Sequence, residues 1–501
     1  LAEQIYFLGM DVGTGGTRAV LIDGAGSIVA SASSEHAPFL AARPGWAEQD
    51  PSDWWRATQQ AIKDTLAQAN ASLGGNIASR IGGVGLTGQM HGAVMLDRDG
   101  EVLRPALIWC DQRTGPQCDW LHQELGREHL IELVANPALP NFTLTKLLWV
   151  REHQPEVYAR IAHVLCPKDY VRLQLTGTYA MDVQEASGTL LLDVAKRKWS
   201  TEVAKAAHVE ESWLPELFES PAVCARISDI AAQATGLKPG TPVVAGAGDQ
   251  GAGAVGMGIL DPGSVSVTIG TSGVVFAATA KPSLDKGGRL HTFCHAVPGR
   301  WHVMGVTQAA GLSMRWLRDL LLPGGDYDSL TAEAVHVPAG SAGLLYTPYL
   351  LGERTPHLDS HARAAFVGLT ADHTRAHLTR AVMEGVAYSL RDSFTLFAEM
   401  GVPVKGVRLG GGGARSPLWR QIQAGVYGHA CDVLVAEEGG AFGAALLAGV
   451  GGGGWATVQD ACAAGIAVAS RIEPTPQTVE RYTQGYAGFQ KVYPALRGIV
   501  G

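Results

Sequence analysis

Two similar α/β halves facing each other across a cleft are what this 501-residue sequence predicts. Two observations carry that expectation. A strand, glycine turn and strand occur twice, and in each half a short buried strand ending in glycines follows a long helical stretch. The first unit is "IYFLGMDVGTGGTRAVLID" and the second "GSVSVTIGTSGVVFAATA"; Gly13-Thr14 falls on Gly270-Thr271 at an offset of 257 residues.

Taken in order, residues 5–34 read as an antiparallel meander of three strands joined by glycine turns. "DPSDWWRATQQAIKDTLAQA" follows with an N-cap candidate and helical spacing, its tryptophan pair suited to helix-to-sheet packing. "IGGVGLTGQMHGAVMLDRDGEVLRPALIWCDQR" returns to strands and turns. In the second half the helical stretch 373–399 precedes "KGVRLGGGGARS", much as the first helix precedes "GGVGLTGQMHG". The halves are expected to divide where "GAGAVGMGILDPG" leaves a helix for a turn, near 250–262; the division is drawn as 1–252 and 253–501.

Composition narrows the function classes. An apolar fraction of 46% with 17% charged residues describes a globular chain with a substantial core. The net charge of −8 and the lack of any basic stripe make nucleic acid an unexpected partner, because its binding depends on neutralising phosphates. Seven scattered cysteines without framework spacing predict a reducing, cytoplasmic setting. The opening "LAEQIYFLGMD" does not read as a secretory leader, and no apolar run reaches the ~18 residues of a membrane span.

The chemistry-bearing residues cluster at glycine turns. In the first hairpin Gly13, Thr14, Gly15, Thr17 and Arg18 offer converging N–H groups, hydroxyls and a cation to an anion, and Asp11 at the strand end can hold a divalent cation. In the second, Thr268, Gly270, Thr271 and Ser272 repeat the donors without the carboxylate. Either loop alone reads equally well as an ordinary turn. Matched positions in matched halves favour a nucleoside triphosphate gripped between them. "VVAGAGDQGAGAVGMG" contains G-x-G-x-x-G, yet Asp249 sits inside it and no ribose-binding acid follows at the required distance, which argues against a dinucleotide. Asp249 suits a proton acceptor for a hydroxyl attacking phosphorus, or an N-cap for the helix that follows. Gln89 and His91 in "GLTGQMHG", with Asp111 and Arg113 in "WCDQR", are side chains that read polyol hydroxyls, whereas Met90 more often packs. Gly411, Gly412, Gly413, Ala414 and Ser416 could pass under a purine or form a bare turn. "HTFCH" reads as strand and turn rather than zinc ligands, and no P-loop, H-E-x-x-H or G-x-S-x-G motif occurs.

With these residues in view, the chain resembles the FGGY carbohydrate kinase family over nearly its whole length. The matching stretches include "GMDVGTGGTRAVLID", "PGWAEQDPSDWW", "FTLTKLLWVREHQPE", "AGAGDQGAGAVG", "PYLLGERTPH" and "GLTADHTRAHLTRAVMEGVAYSL"; Asn141 departs from the family's N-terminal signature at its first position. The resemblance implies two actin-like, ribonuclease H-like ATPase domains with an interdomain cleft, ATP and Mg²⁺ as cofactors, and a small sugar as substrate. It implies Asp249 as general base, Asp11 with Asp249 at the metal, Met90 and His91 in the sugar pocket with Gln250 beside them, and the 268–273 and 410–416 loops at the nucleotide. "GQMHG" together with "GERTPH" leans toward D-xylulose, with another pentulose such as ribulose as the alternative. A non-transferring, actin-like ATP-dependent switch would keep the loops but need no hydroxyl pocket. Homodimers are common among such proteins, although no stretch here reads as an interface.

Overall fold

The computed structural model describes residues 4–435 and 439–499. Strand β1 (Tyr6–Val12), β2 (Gly16–Asp23) and β3 (Ile28–Glu35) form the expected meander. Helix α1 (Pro51–Leu73) follows, its start fixed by the Asp50 side chain accepting from the Ser52 N–H and by proline at the first helical position. Then come β4 (Ile81–Gly88), α2 (Thr143–His153), α3 (Val183–Ser187), β5 (Val223–Arg226), β6 (Pro242–Val244) and α4 (Asp249–Gly256). The second half repeats the plan: β7 (Ser264–Ile269), β8 (Gly273–Thr279), β9 (His291–Cys294), β10 (Trp301–Thr307), α5 (Gly311–Leu321), α6 (Arg375–Glu399), β11 (Gly406–Gly411), α7 (Pro417–Tyr427), β12 (Cys431–Leu434), α8 (Gly439–Gly451) and β13 (Val468–Ile472).

The duplication is visible in the sheets. One runs β5-β6-β4-β1-β2-β3, the other β9-β10-β8-β7-β11-β12-β13. In each, a hairpin (β1–β2, β7–β8) is antiparallel, its first strand lies parallel to β4 or β11, and a further parallel strand, β6 or β12, stands beside that. The hairpins close at equivalent positions, Val12 opposite Thr17 and Ile269 opposite Gly273. "HTFCH" is an edge strand, β9, in the second sheet. All seven cysteines are free thiols, and among the described residues no helix is long and apolar enough to cross a membrane.

The two halves meet through the equivalent helices α4 and α8, which follow the equivalent strands β6 and β12. Helix α8, "GGAFGAALLAGVG", is apolar on every side and buried almost throughout. It lies on the sheet of the other half. A Cβ on Gly9 would stand 1.9 Å from the Ala441 carbonyl oxygen, one on Gly85 2.2 Å from that of Ala444, and one on Gly443 1.9 Å from that of Ala252. Glycine is therefore required on both sides of the contact, since any side chain would force the backbones apart. One expectation needs correcting here. The division drawn at 252/253 cuts through α4, which runs unbroken to Gly256; the sheets part between Val244 and Ser264.

Candidate active site between the two halves

Asp11 ends β1 with Arg18 of β2 opposite it on one side and Thr87 of β4 on the other. Its Oδ1 is buried without a hydrogen-bond partner, and so is Thr87 Oγ1 beside it. The start of α8 comes from the other half: a Cβ on Gly440 would lie 3.0 Å from Asp11 Oδ2. Burial pushes the Asp11 carboxyl up to about 6, with Arg18 pulling it back. Asp249 is the first residue of α4, and the cap position is Gly248, so the N-cap alternative does not describe it. As a residue it is partly exposed. Burial and then the negative charge of Asp11 push it up to about 7, against hydrogen bonds from Gln250.

A buried carboxylate oxygen without a partner on Asp11, with the Asp249 carboxylate nearby, invites a cation. Among the described residues no cluster of three or more His, Cys, Asp or Glu side chains could ligate a metal ion. One or two carboxylates suit Mg²⁺, which keeps much of its water shell, better than a fully protein-ligated ion. The residues present fit the group the family implies.

Asp249 is held by unrelated parts of the chain. Gly246, at φ +75°, lets β6 turn into α4; a Cβ there would lie 2.0 Å from the Leu86 carbonyl oxygen. The Gly248 N–H donates to Gln184 Oε1 of α3 at 2.6 Å. Met90 packs beneath the same turn, its Cγ 2.5 Å from where a Gly248 Cβ would sit, and is buried. Met90 therefore acts as a wedge under Asp249.

His91 follows at φ +69°, an uncommon conformation for a non-glycine residue. Its Nδ1 lies 2.6 Å from the Gly188 carbonyl oxygen. That oxygen can only accept, so Nδ1 carries the hydrogen and Nε2 is left as an acceptor. Burial pushes the imidazole down to about 3, keeping it neutral. Lys146 of α2, fully buried, donates to the His91 carbonyl at 2.8 Å and to that of Asn141. Burial pushes its pKa down to about 7, with Asp111 opposing.

Several residues expected to face ligand spend their polar atoms inside the protein. Gln89 is buried and donates from Nε2 to Gln49 Oε1 at 2.8 Å and to the Gly13 carbonyl at 3.3 Å, tying the sugar loop to the first hairpin. Asp111 accepts from the Ala47 N–H and from Arg113. Arg113 also pairs with Glu48 at 2.7 Å and lies 3.6 Å from the Trp46 ring centroid. Thr17 turns into the core, with its hydroxyl 2.9 Å from His36 Nε2. Arg18 donates to Ser31 Oγ. Thr14 stays at the turn, where its Oγ1 accepts from Trp109 Nε1 at 2.9 Å, and Gly13 and Gly15 remain partly exposed beside it.

The second hairpin opens onto a cleft of 640 Å³ lined by Gly270, Thr271, Leu312, Tyr327, Gly412 and Ser416 among others. Helix α5 begins against this hairpin, with the Gly311 and Leu312 N–H groups donating to the Gly270 and Thr271 carbonyls. Ser272 is half-buried at the turn, and Thr268 Oγ1 lies 3.9 Å from Met257 Sδ. Gly411 and Gly413 cross over Ile269, where a Cβ would stand 2.5 Å and 2.7 Å from its atoms; Ala414 is buried, and Ser416 Oγ caps α7 by accepting from the Trp419 N–H. These glycines thus serve packing as well as lining the cleft.

Sequence reasoning missed Gln184, Lys146, Asn141 and Arg354 as parts of this region. The one signal in the sequence was a lysine inside the otherwise apolar "TLTKLLWV". Gln184 and Arg354 are placed only by tertiary structure.

Comparison with known proteins agrees with this architecture. The N-terminal domain of the FGGY family of carbohydrate kinases matches residues 6–256, and its C-terminal domain residues 265–452. The xylulose kinase of Bacillus subtilis (strain 168) is 37% identical over 488 residues, covering 97% of this chain and 96% of its own. The crystal structure of xylulose kinase from Rhodospirillum rubrum superimposes with a TM-score of 0.92 at 32% identity, covering 99% of both chains. Gluconate kinase from Lactobacillus acidophilus also gives 0.92, at 26% identity and covering 99% of this chain and 98% of its own. The chain belongs to the FGGY family of carbohydrate kinases and is an ATP-dependent sugar kinase.

Proposed function

We propose that the chain transfers the γ-phosphoryl group of ATP to the O5 hydroxyl of D-xylulose, with Asp249 as general base. The likeness of fold does not choose the sugar, because a gluconate kinase superimposes equally well. Sequence identity supports the choice, since the 37%-identical relative that matches nearly end to end is a xylulose kinase.

The observation that carries the mechanism is the place of Asp249, a partly exposed residue at the first position of α4 beside Asp11, where burial and then Asp11 push its carboxyl up to about 7. A base with its pKa near working pH combines availability with driving force. An alcohol is too weakly acidic to be deprotonated in advance by a carboxylate. The O5–phosphorus bond forms as the bond to the ADP oxygen breaks, and the hydroxyl proton passes late to Asp249. Orientation supplies much of its value. The hairpins at Gly13–Gly15 and Gly270–Ser272 face the phosphates, and the 640 Å³ cleft takes the nucleoside. A divalent cation held by Asp11, with Asp249 beside it, would neutralise charge on the phosphoryl oxygens. Closing the halves keeps water from taking the phosphoryl group.

The test is ADP release across a panel of D-xylulose, D-ribulose, L-ribulose, gluconate and glycerol. D-Xylulose is expected to give the highest kcat/KM. A higher value with another sugar would replace it as substrate, and sugar-independent ATP turnover unchanged by every member would favour a switch protein.

A further inference from the structure

Arg354 belongs to the C-terminal half, yet its side chain ends in the N-terminal one. Its backbone is fixed on both sides: Glu353 accepts from the Arg354 and Gln308 N–H groups at 2.7 Å and 3.0 Å, and Thr355 exchanges hydrogen bonds with Val306 of β10. From there Nη2 crosses to donate to Asn141 Oδ1 at 3.0 Å. Among the described residues that oxygen is its one hydrogen-bond acceptor, and no carboxylate lies within 4.0 Å of the guanidinium. Burial lowers its pKa to about 10, so it remains charged at neutral pH. A guanidinium has five N–H donors, and Arg354 is partly exposed with none of its nitrogens sealed in the interior, so the donors not turned to Asn141 are open to a ligand.

Its surroundings complement a sugar. Its partner Asn141 shares the Lys146 ammonium with the His91 carbonyl and immediately precedes Phe142, whose ring packs against both His91 and His291. His91 donates from Nδ1 to the Gly188 carbonyl. His291 donates from Nδ1 to Asn136 Oδ1 at 2.9 Å, and the Asn136 amide is oriented by its own donation to the Thr292 carbonyl. Each imidazole keeps Nε2 as an acceptor. Phe142 packs edge-on against both rings, at 5.1 Å and 5.7 Å between centroids, and Phe293 stacks on His291 at 5.3 Å. Donors from a fixed cation, acceptors from two neutral imidazoles and apolar ring walls match the oxygens, hydroxyl hydrogens and C–H faces of a polyol.

We propose that Arg354 is a sugar-binding residue supplied by the C-terminal half, its guanidinium held by Asn141 and donating to a carbonyl or hydroxyl oxygen of the sugar beside His91. Sugar then touches both halves, and binding it draws the cleft shut. The proposal rests on the sugar-kinase reading of this site, not on D-xylulose in particular.

The experiment uses the full chain and the best sugar of the panel, with sugar Kd measured by calorimetry alongside KM. Arg354→Gln is expected to raise sugar KM and Kd by ~10-fold or more, the scale of a lost charge-assisted hydrogen bond, while KM for ATP stays within about twofold. Arg354→Lys recovers part of the loss, because one ammonium cannot reproduce the planar fork. Circular dichroism and the retained ATP KM establish folding. A folded Arg354→Gln with unchanged sugar Kd overturns the proposal, as do sugar and ATP constants that rise by the same factor. Failure of the substrate assignment reads out separately, in which sugar the panel selects.

Discussion

The two glycine hairpins occupy equivalent places in their sheets, but only the first carries charge, the pair Asp11 and Arg18 against the pair Thr268 and Val274. Asp11 of β1 and Thr268 of β7 occupy equivalent positions, one residue before the hairpin-closing pair in each sheet. The helices after the equivalent strands differ in the same sense: α4 opens on Asp249, while α8 opens on Gly439-Gly440 and presents a bare N-terminus to Asp11. Duplication gave the molecule two glycine turns, and single side chains then set them apart. Acid chemistry gathers in the N-terminal half; uncharged donors and the 640 Å³ cleft gather in the C-terminal half.

That division breaks first at Asp249. Asp249→Ala removes the proposed base and leaves the hairpins, so kcat is expected to fall by ~10²–10⁴-fold, the range for a lost general base. Sugar binding by calorimetry should remain measurable, because His91 and its neighbours are untouched. Near-normal turnover would take Asp249 out of the role.

A paired substitution sharpens the comparison. Asp11→Asn is expected to lower kcat by ~10²-fold and to raise the Mg²⁺ concentration giving half-maximal rate, as befits removal of a charge that organises the phosphates. Thr268→Val, at the equivalent position, should cost less than ~10-fold, the loss of one neutral hydrogen bond. Equal losses in steady-state assays would show that the hairpins are not specialised.

Much of this was legible because it is local. A glycine turn between apolar runs repeats visibly at a fixed offset, and a carboxylate at a strand-to-helix junction, Asp249, announces itself without tertiary information. Side-chain direction was harder. Thr17 looked like a phosphate donor in "GTGGTR", but opposite Val12 on β2 its side chain lies on the inward face, fully buried with its hydroxyl against His36. Asp111 and Arg113 read from the sequence as hydroxyl-binding side chains, yet Arg113 is spent on pairs with both Asp111 and Glu48. Arg354 stands in "GERTPH", a stretch noted for the sugar, but nothing within that segment says that its partner is Asn141, more than two hundred residues earlier.

The smallest effect concerns stability and uses the same carboxylate. Asp249 is held near a pKa of about 7 in the folded chain, against an ordinary value of 3.8. The folded state therefore binds this proton more tightly than the unfolded state does. The stability it contributes is complete below pH ~4 and is lost as pH rises through ~7. Asparagine does not titrate, so Asp249→Asn should melt above the parent at pH 8, and the gap should close toward pH 4. Because Asp249 is partly exposed, water screens part of the shift; a discounted ~1 kcal/mol corresponds to about 2–4 °C in a domain of 150–250 residues. In the parent, kcat/KM should climb through the same interval in which stability declines, since the base works only when ionised. Melting curves in which the parent outlasts Asp249→Asn at pH 8 would contradict the burial of charge on which the proposed base depends.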